Sequence, residues 1–167
     1  MQRVKDFLYA SAELKKIVAD TLSGDILEAA NRIKSRLEKG GKLILMGNGG
    51  SAADSQHIAA ELVGRFKKER LAIPAIALTV DTSSLTALGN DYGFDTIFER
   101  QVEAHAREND VVVGISTSGN SENVVRALKK ANVLGAETIG LIGNNGGKIK
   151  NVANLSIIVP SNDTARI

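Results

Sequence analysis

At 167 residues the chain is of one-domain length, enough to close a single substantial hydrophobic core and too short for a multidomain machine. Its 43% hydrophobic and 24% charged residues are those of an ordinary globular protein, and 21 Lys+Arg against 19 Asp+Glu leave a net charge of +2. With aromatics at 4%, a basic nucleic-acid groove interleaved with aromatic side chains has no support, and the lack of cysteine excludes disulfides, thiolate nucleophiles and thiolate-bound zinc.

The N-terminal stretch MQRVKDFLYASAELKK is charged throughout and lacks the apolar core of a signal peptide, and no run of about 18 apolar residues follows, so a cytoplasmic location is expected. Val4, Phe7, Leu8, Leu14, Ile17 and Val18 recur at spacings of three and four and predict an amphipathic helix over residues 4–18. A second helix is expected after Asp25 as N-cap, with Ile26, Leu27, Ala30, Ile33 and Leu37 on one stripe and Gly40-Gly41 as its stop. Residues 1–40 thus read as a helical hairpin packed on a main domain spanning 41–167.

From Lys42 the period changes. The run LILM leads through a Gly-rich turn to a helix over 51–66, PAIALT (74–79) to a short helix around Leu85–Leu88, and VVVGIS (111–116) through TSGN to a helix over 121–134. ETIGLIG (137–143) and LSIIVP (155–160) complete five buried-type strands. Strands alternating with helices in this way predict a doubly wound α/β domain with a mostly parallel five-stranded sheet flanked by helices. At the end, Asp163 or Thr164 is a good N-cap and Ala165-Arg166-Ile167 reads as the first turn of a further helix.

Ligands of such sheets bind outside the carboxyl ends of the strands. The first loop there, GNGGSAADSQH (47–57), fits G-x-G-x-x-G/A with Ala52 as the third small residue, a weak match to dinucleotide sites. Its ribose-reading acid would have to be Glu69, since Asp81 lies too far along. The second, STSGNSEN (116–123), packs Ser116, Thr117, Ser118 and Ser121 at the start of a helix, where hydroxyls and backbone N–H groups can hold a phosphate; the plain alternative is a polar turn in which Asn120 or Ser121 caps the helix. No Gly-Lys-Ser/Thr follows, so it is not a Walker A loop. His57 and Glu61 are four apart on one helix face, either sharing a metal, or placing a base beside an imidazole, or forming a surface pair. His105, in EAHAREND, reads as solvated surface. Asn90, Asp91 and Gly93 read as a turn in LGNDYG.

Taken together, GNGGSAADSQHIAAELVGRF, ALGNDYGFD and ISTSGNSENVVRAL resemble the sugar-isomerase (SIS) domain family, most closely its bacterial branch acting on sedoheptulose 7-phosphate. The resemblance runs from the N-terminal helices to Ile167. It implies phosphate binding by Ser116, Thr117, Ser118 and Ser121, and a sugar site lined by Asn48, Gly49, Gly50 and Ser51 and contacted by Asn90 and Asp91. It also implies a zinc ion held by His57 and Glu61, with Glu61 doubling as catalytic base. Further family ligands, a Gln and a His, would lie on a helix beyond Ile167. Family members are homotetramers with active sites between subunits, bind a small-molecule sugar phosphate, and use neither nucleic acid nor membrane.

The implied reaction converts sedoheptulose 7-phosphate to D-glycero-D-manno-heptose 7-phosphate through an enediol, opening the synthesis of ADP- or GDP-heptose for lipopolysaccharide or other surface glycans. An ordinary carboxylate, pKa about 4.3, is a poor base toward carbon, so desolvation or a polarised carbonyl must assist it. The contrasting implication is a non-catalytic SIS module that binds the replication initiator protein; such relatives lack the helix Glu and disrupt the Ser-Thr-Ser triplet, whereas Glu61 and Ser118 are present here.

Overall fold

The computed structural model describes residues 1–167. Its first element departs from the expected hairpin: α1 (Gln2–Glu38) is one helix of 37 residues. The segment read as a break is absorbed into it. Thr21 and Ser23 donate their hydroxyls back to the carbonyls of Ile17 and Ala19, which accommodates such side chains inside a helix. Gly24 costs only about 1 kcal/mol relative to alanine, too little to end a helix anchored farther on. That anchor is a set of ion pairs. Arg32 reaches Glu137 at 2.9 Å, and Arg36 reaches Glu137 at 3.4 Å and the carbonyl of Glu108 at 2.6 Å. The carboxylates of Glu28 and Glu137 raise the pKa of Arg32.

The remaining elements follow the expected alternation: β1 (Leu43–Gly47), α2 (Gly50–Val63), β2 (Ala75–Ala77), α3 (Thr82–Tyr92), α4 (Ile97–His105), β3 (Val111–Ser116), α5 (Glu122–Val133), β4 (Glu137–Ile142) and β5 (Leu155–Ile158). The five strands form one fully parallel sheet in the order β2-β1-β3-β4-β5. Strand periodicity sends Ile44, Met46, Val112 and Ile142 to the face covered by α4 and α5, and Leu43, Leu45, Val111, Val113 and Ile139 to the face where Ala29 of α1 and Ala59 of α2 pack. Both faces are covered, which is why the strands read as unbroken apolar runs. In α5 the stripe Val124, Val125, Ala127, Leu128 and Ala131 is fully buried. A leucine such as Leu128 contributes about 2–5 kcal/mol relative to alanine there.

One further difference bears on the site. The stretch LGNDYG is not a free turn: Asn90 and Asp91 occupy the last turn of α3, which begins at Asp81 and stops at Gly93, φ 85°. Asp81 is the N-cap, accepting from the backbone N–H of Ser84 at 3.0 Å and from its hydroxyl at 2.8 Å. A capped start carries the helix farther than its apolar residues alone indicate.

Candidate functional site

After β1 the chain crosses to β2 on one side of the sheet, whereas β3 lies on the other. The crevice between the loops following β1 and β3 is therefore the topological switch point, where parallel sheets bind ligands. Both loops that the sequence singles out meet there.

The β1 loop turns sharply at Gly47, where an added Cβ would stand 2.6 Å from the Cβ of Ser51 and 2.9 Å from the carbonyl oxygen of Ile115. Only glycine lets α2 start this close to the sheet. Gly49 has φ 55°, and the N-terminus of α2 carries no side-chain cap, leaving its positive end available to an anion. On the neighbouring loop Ser121 stands at the N-cap of α5, yet its hydroxyl makes no capping bond and pairs instead with Ser116 Oγ at 2.9 Å. Ser118 Oγ accepts from the backbone N–H of Asn120 at 3.1 Å. The hydroxyls thus surround an uncapped helix start rather than close it.

The loop after β4 braces this arrangement. Asn144, at φ 53°, donates its amide to the carbonyl of Thr117 at 2.8 Å. The backbone N–H of Lys148 donates to Asn120 Oδ1 at 3.1 Å, and that of Ile149 to the carbonyl of Gly119 at 3.0 Å. Gly119 has φ 67° and abuts Gly146 and Gly147. Lys148 and Arg126 flank Glu122 in the first turn of α5 and hold its carboxyl below the usual range, the hydrogen bond from Lys148 being the larger cause.

His57 and Glu61 lie on α2 with Nε2 and Oε1 3.2 Å apart. The imidazole is 75% exposed and the carboxylate 37%, so this pair faces outward rather than into the core. Arg70 closes the C-terminal end of the same helix, donating to the carbonyls of Glu61 at 2.7 Å and Leu62 at 2.8 Å. A cavity of about 330 Å³ is lined by Ser51, Asp54 and His57 from the β1 side, Thr117 from the β3 side and Ile167. A second, of about 340 Å³, is lined by Asn48, Gly49, Thr79, Thr86 and Phe94. Such volumes suit small ligands.

Other expected residues are not gathered in. Asn90 and Asp91 are exposed, bond each other at 2.8 Å and line neither cavity, although Thr86 and Phe94 on either side of them line the second. Asp81 spends its carboxylate on capping α3 and Glu69 pairs with Arg65 at 3.6 Å, so neither acid serves as a ribose reader for the Gly-rich loop. Asp163 caps the short turn Thr164–Arg166 as expected, accepting from the N–H of Ala165. Two asparagines were missed by the sequence reading. Asn123 is buried and bonds Asn48, and Asn144 grips the Thr117 backbone; the signal for the latter is a non-glycine residue inside NNGG, suited to positive φ.

The family model described as SIS domain matches residues 6–143. The phosphoheptose isomerase of Aquifex aeolicus is 59% identical over 167 residues, covering 100% of this chain and 87% of that protein, and the one from Geobacter sp. strain M21 is 58% identical with the same coverage. Among solved structures, a phosphoheptose isomerase from Neisseria gonorrhoeae superposes with a TM-score of 0.93 at 44% identity, covering 99% of this chain and 88% of that one. One from Francisella tularensis gives 0.95 at 39% identity, with the same coverage. The chain belongs to the SIS-domain family and, within it, to the phosphoheptose isomerases.

Proposed function

We propose that the protein is an isomerase that converts sedoheptulose 7-phosphate to D-glycero-D-manno-heptose 7-phosphate. The observation that carries this is that His57 of the His57–Glu61 pair lines one cavity with Thr117 of the hydroxyl-rich loop at the uncapped start of α5, while Glu61 lines the adjoining cavity that His57 and Ile58 share. Relatives named phosphoheptose isomerase at 58–59% identity support it. The initiator-binding reading is not favoured.

In this reading Ser116, Thr117, Ser118 and Ser121 hold the phosphate with the help of the α5 dipole. Asn48, Gly49, Gly50 and Ser51 line the sugar. The phosphate grip supplies binding energy remote from the reacting carbons and aligns C1 and C2 with the base. Glu61 takes a proton from C1 of the ketose, the C1–H electrons form a C1=C2 bond and the C2=O π electrons move to O2, which takes up the O1 proton; the O1 electrons then form the C1 carbonyl while the C1=C2 electrons take the proton back from Glu61 at C2. Asn90 and Asp91, at the exposed end of α3, contact the sugar from beside the cavity that Asn48 and Gly49 line with Phe94.

His57 and Glu61 offer the imidazole and carboxylate donors zinc accepts, but no third His, Cys, Asp or Glu joins them in this chain. Catalytic zinc takes three protein ligands. The pair fits part of such a site, supplying two of its donors. Bound zinc would polarise the sugar carbonyl.

Homotetramer formation belongs to the same reading: Val4, Leu8, Tyr9 and Leu27 of α1 are 62–68% exposed, an apolar surface suited to subunit packing. No helix is long and apolar enough to cross a membrane. We place the enzyme in the cytoplasm, at the entry to nucleotide-heptose synthesis for lipopolysaccharide. Following the appearance of the aldose 7-phosphate from sedoheptulose 7-phosphate, with and without added zinc, tests the proposal; no turnover under either condition overturns it.

A further inference from the structure

Asn123, the second residue of α5, is only 2% exposed. Its side chain forms a reciprocal pair with Asn48 across the switch point. Asn48 Nδ2 donates to Asn123 Oδ1 at 3.0 Å, and Asn123 Nδ2 donates to Asn48 Oδ1 at 2.9 Å. The orientation of the pair is not arbitrary. The backbone N–H of Val124 also donates to Asn123 Oδ1, at 2.9 Å, which fixes the oxygen end of Asn123. Asn48 must then present nitrogen to that oxygen and its own oxygen to Asn123 Nδ2. One backbone group at the start of α5 thereby sets the direction of an amide on the β1 loop.

We propose that Asn123 is a positioning residue for the isomerisation, holding the Asn48 amide in register with the phosphate-binding loop. This inference rests on the isomerase reading and adds a residue to it. Asn123 joins the two halves of the site: it follows the hydroxyl loop by two residues from Ser121, while Asn48 opens the sugar loop. A substrate gripped at its phosphate end by residues 116–121 meets, at its sugar end, a group whose angle is fixed from the same helix. With both oxygens of the pair and an N–H of each partner engaged, the Asn48 amide has one remaining N–H, and its direction is determined. Orientation of this kind acts on the reacting carbons more than on phosphate affinity.

Asn123→Asp and Asn123→Ser together separate this role from a merely structural one. The aspartate keeps acceptors for the Val124 N–H and for Asn48 Nδ2 and turns the donor to Asn48 Oδ1 into an acceptor, at a position only 2% exposed, where the positive end of α5 offsets part of the cost of the buried charge. In the full chain, the expected result is a fall in kcat of about 30-fold with sedoheptulose 7-phosphate, a change within about 3-fold in the inhibition constant of inorganic phosphate, and a melting temperature that is lowered by the buried charge but stays well above that of the assay. Asn123→Ser serves as the second variant should the aspartate disturb folding. Combined with Asn48→Ala, either change adds less than about 2-fold to the loss from Asn48→Ala alone, since both act through one pair. A folded variant with kcat near wild type overturns the proposal, as does equal weakening of kcat and phosphate inhibition. Wild-type turnover is measured alongside. If it is absent, the isomerase reading falls and the positioning role with it; if it is present and the variants match it, only the positioning role falls.

Discussion

Replacing Gly119 by alanine tests how the hydroxyl-rich loop at 116–121 is shaped. At φ 67° the backbone is in the left-handed region, where an alanine costs about 1–2 kcal/mol. The new Cβ would also stand 2.5 Å from the carbonyl carbon of Gly146 and 3.0 Å from the nitrogen of Gly147, against backbone that cannot rotate away. Restoring ordinary contact requires the loops after β3 and β4 to separate by about 1 Å, and overpacking of this sort adds about 1–3 kcal/mol. The expected loss is thus about 2–5 kcal/mol, or a fall of about 5–20 °C in melting temperature for a domain of this size. Separation pulls on the bonds from Ile149 to the Gly119 carbonyl and from Asn144 to the Thr117 carbonyl, so the hydroxyls lose their common focus. Displacement of about 1 Å at a positioning group costs on the order of 100-fold in rate. Steady-state kinetics with sedoheptulose 7-phosphate, beside thermal melting, read both effects. A Gly119→Ala protein with unaltered melting and kcat/KM within about 2-fold of wild type would refute the bracing role of the β4 loop.

Gly24 offers the opposite case, being inside α1 with no atom within 4 Å of a Cβ; Gly24→Ala should raise stability by about 0.5–1 kcal/mol, and a lower melting temperature would contradict the continuous helix. Asp81→Ala should lower the melting temperature at neutral pH. Because the Ser84 backbone and hydroxyl bonds, with smaller help from Ser83 and His105, lower the folded-state pKa below the ordinary 3.8, the cap is at full strength above that value and weakens as pH falls through the lower one. The gap between wild type and variant should therefore close in acid, and a gap that widens there would contradict the capping role.

The fold was legible because a parallel sheet buried on both faces leaves short apolar runs that alternate with helical periodicity, and β1, β3, β4 and β5 fall where those runs lie. The break assigned near Asp25 failed for a physical reason: Thr, Ser, Gly and Asp favour turns locally, but α1 is tied down by Arg32 and Arg36 on Glu137, residues far apart in sequence. The same holds at Asn90 and Asp91, whose turn-like composition yields to a helix capped at Asp81. Spacing singled out His57 and Glu61 and hydroxyl density the loop at 116–121, and the fold brings His57 and Thr117 to one cavity. Neither signal revealed Asn123, because a polar residue in the first helical turn looks solvated until the opposite loop is placed against it.

The most direct measurement compares Glu61→Gln with the wild type in two assays, calorimetric binding of sedoheptulose 7-phosphate and its isomerisation. If Glu61 is the base at a site built by the two loops, binding stays within about 3-fold while turnover falls about 10²–10⁴-fold. Turnover near that of the wild type would contradict the assignment of Glu61, and with it the chemistry proposed for the switch-point site.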